Sequence, residues 1–125
     1  MASLLVVEGV GQGRLMRLTE PLVSIGRDDT CTFQILDPLI SRKHLQIRLD
    51  PALSKHFAAD YRSAHGVVIN GKAINLDVAL NEGDRITIGS TTLVYLEGDH
   101  ADAASAAAAV KKTDEWKRST LIDRP

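Results

Sequence analysis

Hydrophobic positions in this chain gather in short runs, and glycine, proline, asparagine or aspartate separates one run from the next. Residues 3–8 are mostly apolar and end at a glycine-rich turn, Gly9, Gly11 and Gly13. Arg14, Leu15, Met16, Arg17 and Leu18 then interleave charge and hydrophobe, which fits a strand with one wet face. After Glu20 and Pro21 comes an apolar run at 22–25, broken by Gly26 and Arg27, and a second at 33–36, broken by Asp37 and Pro38. Leu45, Ile47 and Leu49 alternate with Gln46, Arg48 and Asp50, a clear period of two. Residues 55–61 give another strand, followed by a loop at 62–66. The β-branched run 67–69 stops at Asn70 and Gly71, a hairpin signal because both residues tolerate positive φ, and 72–74 is the returning strand. A turn at 81–84 precedes a last hairpin, 85–88 and 91–96, around Gly89 and Ser90. No helical period appears before residue 98, so the pattern predicts an all-β sandwich or barrel over residues 1–98.

The texture changes at residue 99. Residues 101–109 are nearly all alanine, the best helix former, and Asp102 is placed to cap the start. Lys111, Lys112, Lys117 and Arg118 lie toward the end, where the helix dipole favours cations. An alanine face has little to bury, so residues 99–125 are expected to form a tail outside the domain, helical in part or disordered, with 119–125 extended. Trp116, with Val110, Leu121 and Ile122, is a candidate anchor for that tail.

Charge and composition remove several classes of function. The formal net charge is −1, so no global field draws the chain to nucleic acid or to an anionic membrane, and any cationic site must be local. Aromatics are 4% of the chain and no basic stripe is continuous, which also argues against a nucleic-acid partner. No signal peptide or membrane-length apolar run is present, so a soluble cytoplasmic protein is expected. Cys31 stands alone, which leaves no disulfide framework, and it reads as a small half-buried hydrophobe. His44, His56, His65 and His100 lack metal-ligand spacing, so neither metal nor cofactor is expected. Asp60 and His65 with Ser41 or Ser63 have the residue types of a hydrolytic triad. The serines sit on separate loops and no nucleophile elbow is present, so an enzyme is not expected.

Two loops carry the remaining chemistry. One places Arg27 behind Gly26 at a strand end, and the other reads Ser41, Arg42, Lys43, His44 before the next strand. A guanidinium fork and a hydroxyl at neighbouring strand ends suit an oxyanion, phosphate first of all.

This ordered set, Gly26–Arg27, then Ser41–Arg42–Lys43–His44, then Asn70–Gly71, resembles the forkhead-associated (FHA) domain over roughly residues 3–97. Ile25, Cys31, Asp37 and the turn Glu82–Gly83–Asp84 fit the same texture. The resemblance implies a twisted β-sandwich of about eleven strands whose loops at one end bind phosphothreonine peptides. It implies that Arg27 and Ser41 meet the phosphate, that Arg42 either adds a contact or is solvated, and that His44 braces the loops rather than acting as a base. Gly26, Gly66, Asn70 and Gly71 would be structural residues near that site. The chain departs from the family in the third loop. Ala64 stands where a hydroxyl is common, His65 where an asparagine holds the peptide backbone, and Val67 where threonine is usual. A protonated His65 would add two donors and a charge near the phosphate, so binding is expected to depend on pH or to be weakened. The implied function is a phosphothreonine-dependent adaptor downstream of Ser/Thr kinases; the alternative is a phosphate-independent interaction module of the same fold. Thr120 follows the basic pair Lys117–Arg118 and precedes Asp123. It is either a phosphorylatable ligand for the chain's own pocket or part of a solvated end.

Overall fold

The computed structural model describes residues 2–111, and in them the short runs become eleven strands in two sheets. They are β1 (Ser3–Glu8), β2 (Leu15–Arg17), β3 (Leu22–Gly26), β4 (Phe33–Gln34), β5 (Leu45–Asp50) and β6 (Lys55–Asp60). Then come β7 (Val67–Ile69), β8 (Lys72–Ala73), β9 (Val78–Ala79), β10 (Arg85–Ile88) and β11 (Thr91–Leu96). One sheet runs β2-β1-β11-β10-β7-β8 and the other β4-β3-β5-β6-β9. Alternation decides which residues face the gap between them. Leu45 and Ile47 of β5 are buried while Arg48 is exposed, and they meet Val23, Ile25 and Ala58 from their own sheet. Leu4, Met16, Ile86, Ile88 and Leu93 close the core from the other sheet. Each such Val, Leu, Ile or Met side chain contributes about 1.5–3 kcal/mol on burial.

Turn chemistry sets the register. Asn70 and Gly71 take φ of 51° and 84°, the left-handed pair that a tight β7–β8 hairpin needs. Strand β9 is two residues long with no alternation to announce it, and only its pairing of Val78 with Ala58 and Ala79 with Phe57 makes it a strand. The run at 33–36 is strand only at its first two residues, and β4 pairs parallel to β3.

The expectation of a tail lying wholly outside the domain does not hold for its described part. Residues 103–111 form a helix, α1, and Ala106 and Val110 are buried against Leu5, Val94 and Leu96. The reason lies in β11. Leu93 and Tyr95 enter the main core while Val94 and Leu96 present a second apolar face, and alanine side chains let a helix approach it closely. Asp102 caps α1, its Oδ1 accepting the Ser105 N–H at 2.8 Å, and the Arg17 guanidinium donates to the carbonyls of His100 and Ala101. Trp116 and Thr120 lie outside the described residues.

A buried carboxylate ties the two sheets together. Asp37 is fully buried, and its Oδ1 accepts from the Leu39 N–H at 2.9 Å. Its Oδ2 accepts from the Ser90 N–H at 2.9 Å, the Ser90 hydroxyl at 2.7 Å and the Thr91 hydroxyl at 2.8 Å. Burial alone raises the affinity of this carboxyl for a proton. The hydrogen bonds from Leu39, Ser90 and Thr91 outweigh it and hold the pKa at about 2, below the ordinary 3.8. The folded state therefore binds this proton less readily than the unfolded chain does. The resulting stabilisation is present above the ordinary value and is lost as pH falls toward 2. Asp37→Asn is expected to cost about 1–3 kcal/mol at neutral pH and to flatten the acid limb of stability between roughly pH 4 and 2. Thermal unfolding followed across that range checks this, and an acid limb as steep as the parent's would contradict it.

Candidate functional site

Strand register gathers three loops at one end of the five-stranded sheet. Ile25 pairs with Leu45, and Leu45 pairs with Asp60, so the end of β3, the start of β5 and the end of β6 lie side by side. The loops that follow Gly26, precede Leu45 and follow Asp60 therefore emerge together. The first two are joined along their backbones. The Arg27 N–H donates to the Ser41 carbonyl, the Asp28 N–H to the Arg42 carbonyl and the His44 N–H to the Ile25 carbonyl, each at 3.0 Å. Gly26 is required by that approach, since a Cβ there would sit 2.1 Å from the Arg42 carbonyl oxygen. The Cys31 thiol donates to the same carbonyl at 3.2 Å; burial, its largest influence, pushes its pKa up, so it stays a thiol.

Arg27 is exposed, yet one edge of its guanidinium is fixed. Its Nε donates to the Ile40 carbonyl at 3.0 Å. Among the described residues its terminal nitrogens take no partner, and it forms no ion pair with Asp28 or Asp29. Asp28 instead accepts the Thr30 N–H at 2.9 Å and the Thr30 hydroxyl at 3.0 Å, which lower its pKa. The outer edge of Arg27 is thus a preset pair of donors.

His44 is fully buried and holds the second and third loops together. Its Nδ1 accepts the Ser41 N–H at 3.0 Å, so the ring proton sits on Nε2, which donates to the Gly66 carbonyl at 2.7 Å. Ser41 adds a second tie, its Oγ accepting the Ala64 N–H at 2.9 Å, which leaves the hydroxyl proton free to donate outward. Within the third loop the Ser63 N–H donates to Asp60 Oδ1 and the Gly66 N–H to Ser63 Oγ, both at 2.9 Å. His65 is exposed between two anchored neighbours, Ala64 and Gly66.

Arg27, Ser41, Ala64, His44 and Gly66 are thus linked in one network beside Gly26. Arg42 and His65 stand on the same loops with exposed side chains that make no hydrogen bond or ion pair among the described residues. Lys43 stacks its ammonium 5.8 Å from the Tyr61 ring centre. Asn70 and Gly71 sit elsewhere, at the opposite end of β7 from Gly66, where the turn demands positive φ. Asn70 there accepts the Arg85 N–H at 3.0 Å and donates to Asp84 at 2.9 Å, so both residues are hairpin devices. The sequence reading missed the Ile40 carbonyl that fixes Arg27, and it named Asp37 only as part of the family texture, not as the residue that sets the turn bearing Ile40. Asp37–Pro38 reads as a strand breaker, and nothing local announces partners in a distant hairpin.

A sandwich of two sheets with an arginine, a serine and a bracing histidine on loops at one end defines an FHA domain. The family model for the FHA domain matches residues 23–89, and the chain belongs to that family, whose members are interaction modules that bind phosphothreonine peptides. Among curated relatives, the glycogen accumulation regulator GarA of Mycolicibacterium smegmatis is 30% identical over 107 residues, covering 86% of this chain and 66% of GarA. A solved structure from work on phosphothreonine-dependent FHA domain interactions superposes with a TM-score of 0.70 at 28% identity, over 79% of this chain and 98% of that one. Mycobacterium tuberculosis EmbR in complex with a low-affinity phosphopeptide gives a TM-score of 0.70 at 26% identity, over 80% of this chain and 26% of EmbR. The chain thus spans less than two thirds of either GarA or EmbR.

Gly26→Ala is expected to destabilise the domain by about 1–3 kcal/mol or more, because the new methyl meets backbone that cannot give way. Its effect should centre on the amide signals of Arg27, Asp28 and Ser41. A variant with unaltered stability and an unaltered spectrum would contradict the close approach.

Proposed function

We propose that this chain is a phosphothreonine-dependent interaction module that reads the output of Ser/Thr kinases, and that it performs no catalysis. One observation carries the reading: Arg27 is held at Nε by Ile40 while its outer donors take no partner among the described residues, beside a Ser41 hydroxyl fixed by Ala64 with its proton to spare. A phosphate carries about −1.5 to −2 charge at neutral pH and several acceptor oxygens, which matches a forked cation plus a hydroxyl. The exposed Arg42 supplies further positive charge on the loop that bears Ser41. The phosphopeptide bound by EmbR and the phosphothreonine-dependent interactions of the solved FHA domain support the same assignment. No helix among the described residues is long and apolar enough to cross a membrane, and we assign the module to the cytoplasm, where kinases supply its ligand.

The third loop favours a second reading. Ala64 offers only its backbone, and among the described residues the exposed His65 has no partner to hold it in place, so the module would bind an unphosphorylated surface instead. Paired phosphorylated and unphosphorylated peptides separate the two. Thr120, outside the described residues, is one ligand to include once phosphorylated. Leu39, exposed two residues before Ser41, offers no cation to Asp123, whereas the exposed Arg62 on the third loop does.

Arg27→Ala is expected to lower affinity for a phosphothreonine peptide selected from a degenerate library by at least tenfold, since a charge-assisted contact is worth roughly 1.5–3 kcal/mol. Calorimetric titration checks this, and unchanged affinity would sink the pocket assignment. His65, exposed on the third loop, is tested separately by His65→Ala. A loss of affinity for the phosphorylated peptide places its side chain at the ligand, and unchanged affinity removes His65 from phosphate contact.

A further inference from the structure

Asp37 does more than join the sheets, because its partners connect the phosphate-binding loop to a turn on the opposite sheet. The β10–β11 turn, Gly89 and Ser90, presents the Ser90 N–H and hydroxyl to Asp37 Oδ2, and Thr91 adds a third donor. The other carboxylate oxygen takes the Leu39 N–H, and the Asp37 carbonyl takes the Ile40 N–H at 3.0 Å. These bonds shape the turn 37–40. The Ile40 carbonyl at its end then fixes Arg27 Nε, and Ser41 is the next residue along. From Ser90 to the phosphate-facing guanidinium there are thus three linked steps, through Asp37, Ile40 and Arg27. The contact is tight as well as polar. Gly89 has φ of +56°, and a Cβ there would lie 2.9 Å from the Ile40 side chain, 3.0 Å from the Leu39 carbonyl carbon and 3.1 Å from Asp37 Oδ2.

We propose that Asp37 is a positioning residue for phosphopeptide binding, and that Ser90, on the far hairpin, controls the pocket through it. The proposal rests on the phosphothreonine reading above. It differs from a merely structural brace in a specific way. The buried carboxylate is satisfied only by donors, so negative charge placed at position 90 repels it and turns a latch into a wedge. Within turn 37–40 the Ile40 side chain is held in the core while Leu39 is exposed, so the repulsion is relieved along the backbone that carries the Leu39 N–H and the Ile40 carbonyl. The displaced carbonyl then no longer aligns Arg27, and Ser41 moves with it. Ser90 is itself exposed, so its substitution does not open the core directly.

A double-mutant cycle on the full chain tests this, with a library-selected phosphothreonine peptide as the probe and melting curves confirming that each variant is folded at the assay temperature. Ser90→Asp should weaken the peptide tenfold or more in the parent, and less than threefold in an Asp37→Asn background, where the repulsion is gone. An equal factor in both backgrounds would overturn the proposal, as would no loss in either. A second readout needs no ligand. Ser90→Ala removes one donor without adding charge, and should speed hydrogen exchange of the Ser41 amide severalfold while the protein stays folded. Exchange at Ser41 that matches the parent would count against coupling even if Ser90→Asp does not fold. Failure of the unmodified chain to bind any phosphothreonine peptide, with the Ser41 exchange still altered, would instead reject the phosphothreonine reading and keep the latch.

Discussion

His44 joins two loops that reach the site from different directions, and the rest of the site depends on that bridge. A buried imidazole with one acceptor and one donor is satisfied on both edges, by the Ser41 N–H and the Gly66 carbonyl. No other uncharged side chain places an acceptor and a donor on opposite edges of one rigid ring. Removing it would leave a backbone donor and a backbone acceptor buried without partners, at a cost of about 1–3 kcal/mol each. The same two loops are tied again by Ser41 Oγ and the Ala64 N–H, and the first loop is joined on through Gly26 and the Arg42 carbonyl. The outcome is a preorganised rim. Arg27 and Ser41 are held without a ligand, so a phosphopeptide bound there as proposed would meet little ordering cost.

The sandwich supplies this rim with its position. Three strand ends lie level because β3, β5 and β6 are paired antiparallel in register, and that register follows from burying Ile25, Leu45 and Ile47 on one face. The opposite sheet contributes through Asp37, whose carboxylate reaches the β10–β11 turn. The helix α1 lies on the outer face of β1 and β11, against Leu5, Val94 and Leu96, residues that play no part in the rim. The chain therefore carries its candidate binding loops and its helical extension on separate surfaces.

Much of this was legible from residue order. Period-two alternation at 45–50 and the Asn70–Gly71 pair specify a strand and a hairpin by local physics, and both stand in the structure. Arg27, Ser41 and His44 were singled out because the ordered set they belong to resembles one family, and the structure brings their loops together. What was not legible depends on partners far away in sequence. Strand β9 exists only through its pairing with β6. Asp37 looks like a turn residue until Ser90 and Thr91 are brought to it across the sandwich. The docking of α1 was hidden because an alanine-rich stretch has no strong apolar stripe, and the face that receives it belongs to a strand already counted as core.

In the proposed function, the fixed pair of Arg27 and Ser41 reads a phosphate on threonine. The most direct measurement is a titration followed by amide and guanidinium NMR signals, using one peptide in phosphothreonine and unmodified threonine forms. Only the phosphorylated form is expected to move the Arg27 Nε–H, Ser41 and Ala64 signals in a saturable way. Equal shifts with both forms, or shifts confined to other faces of the domain, would contradict it.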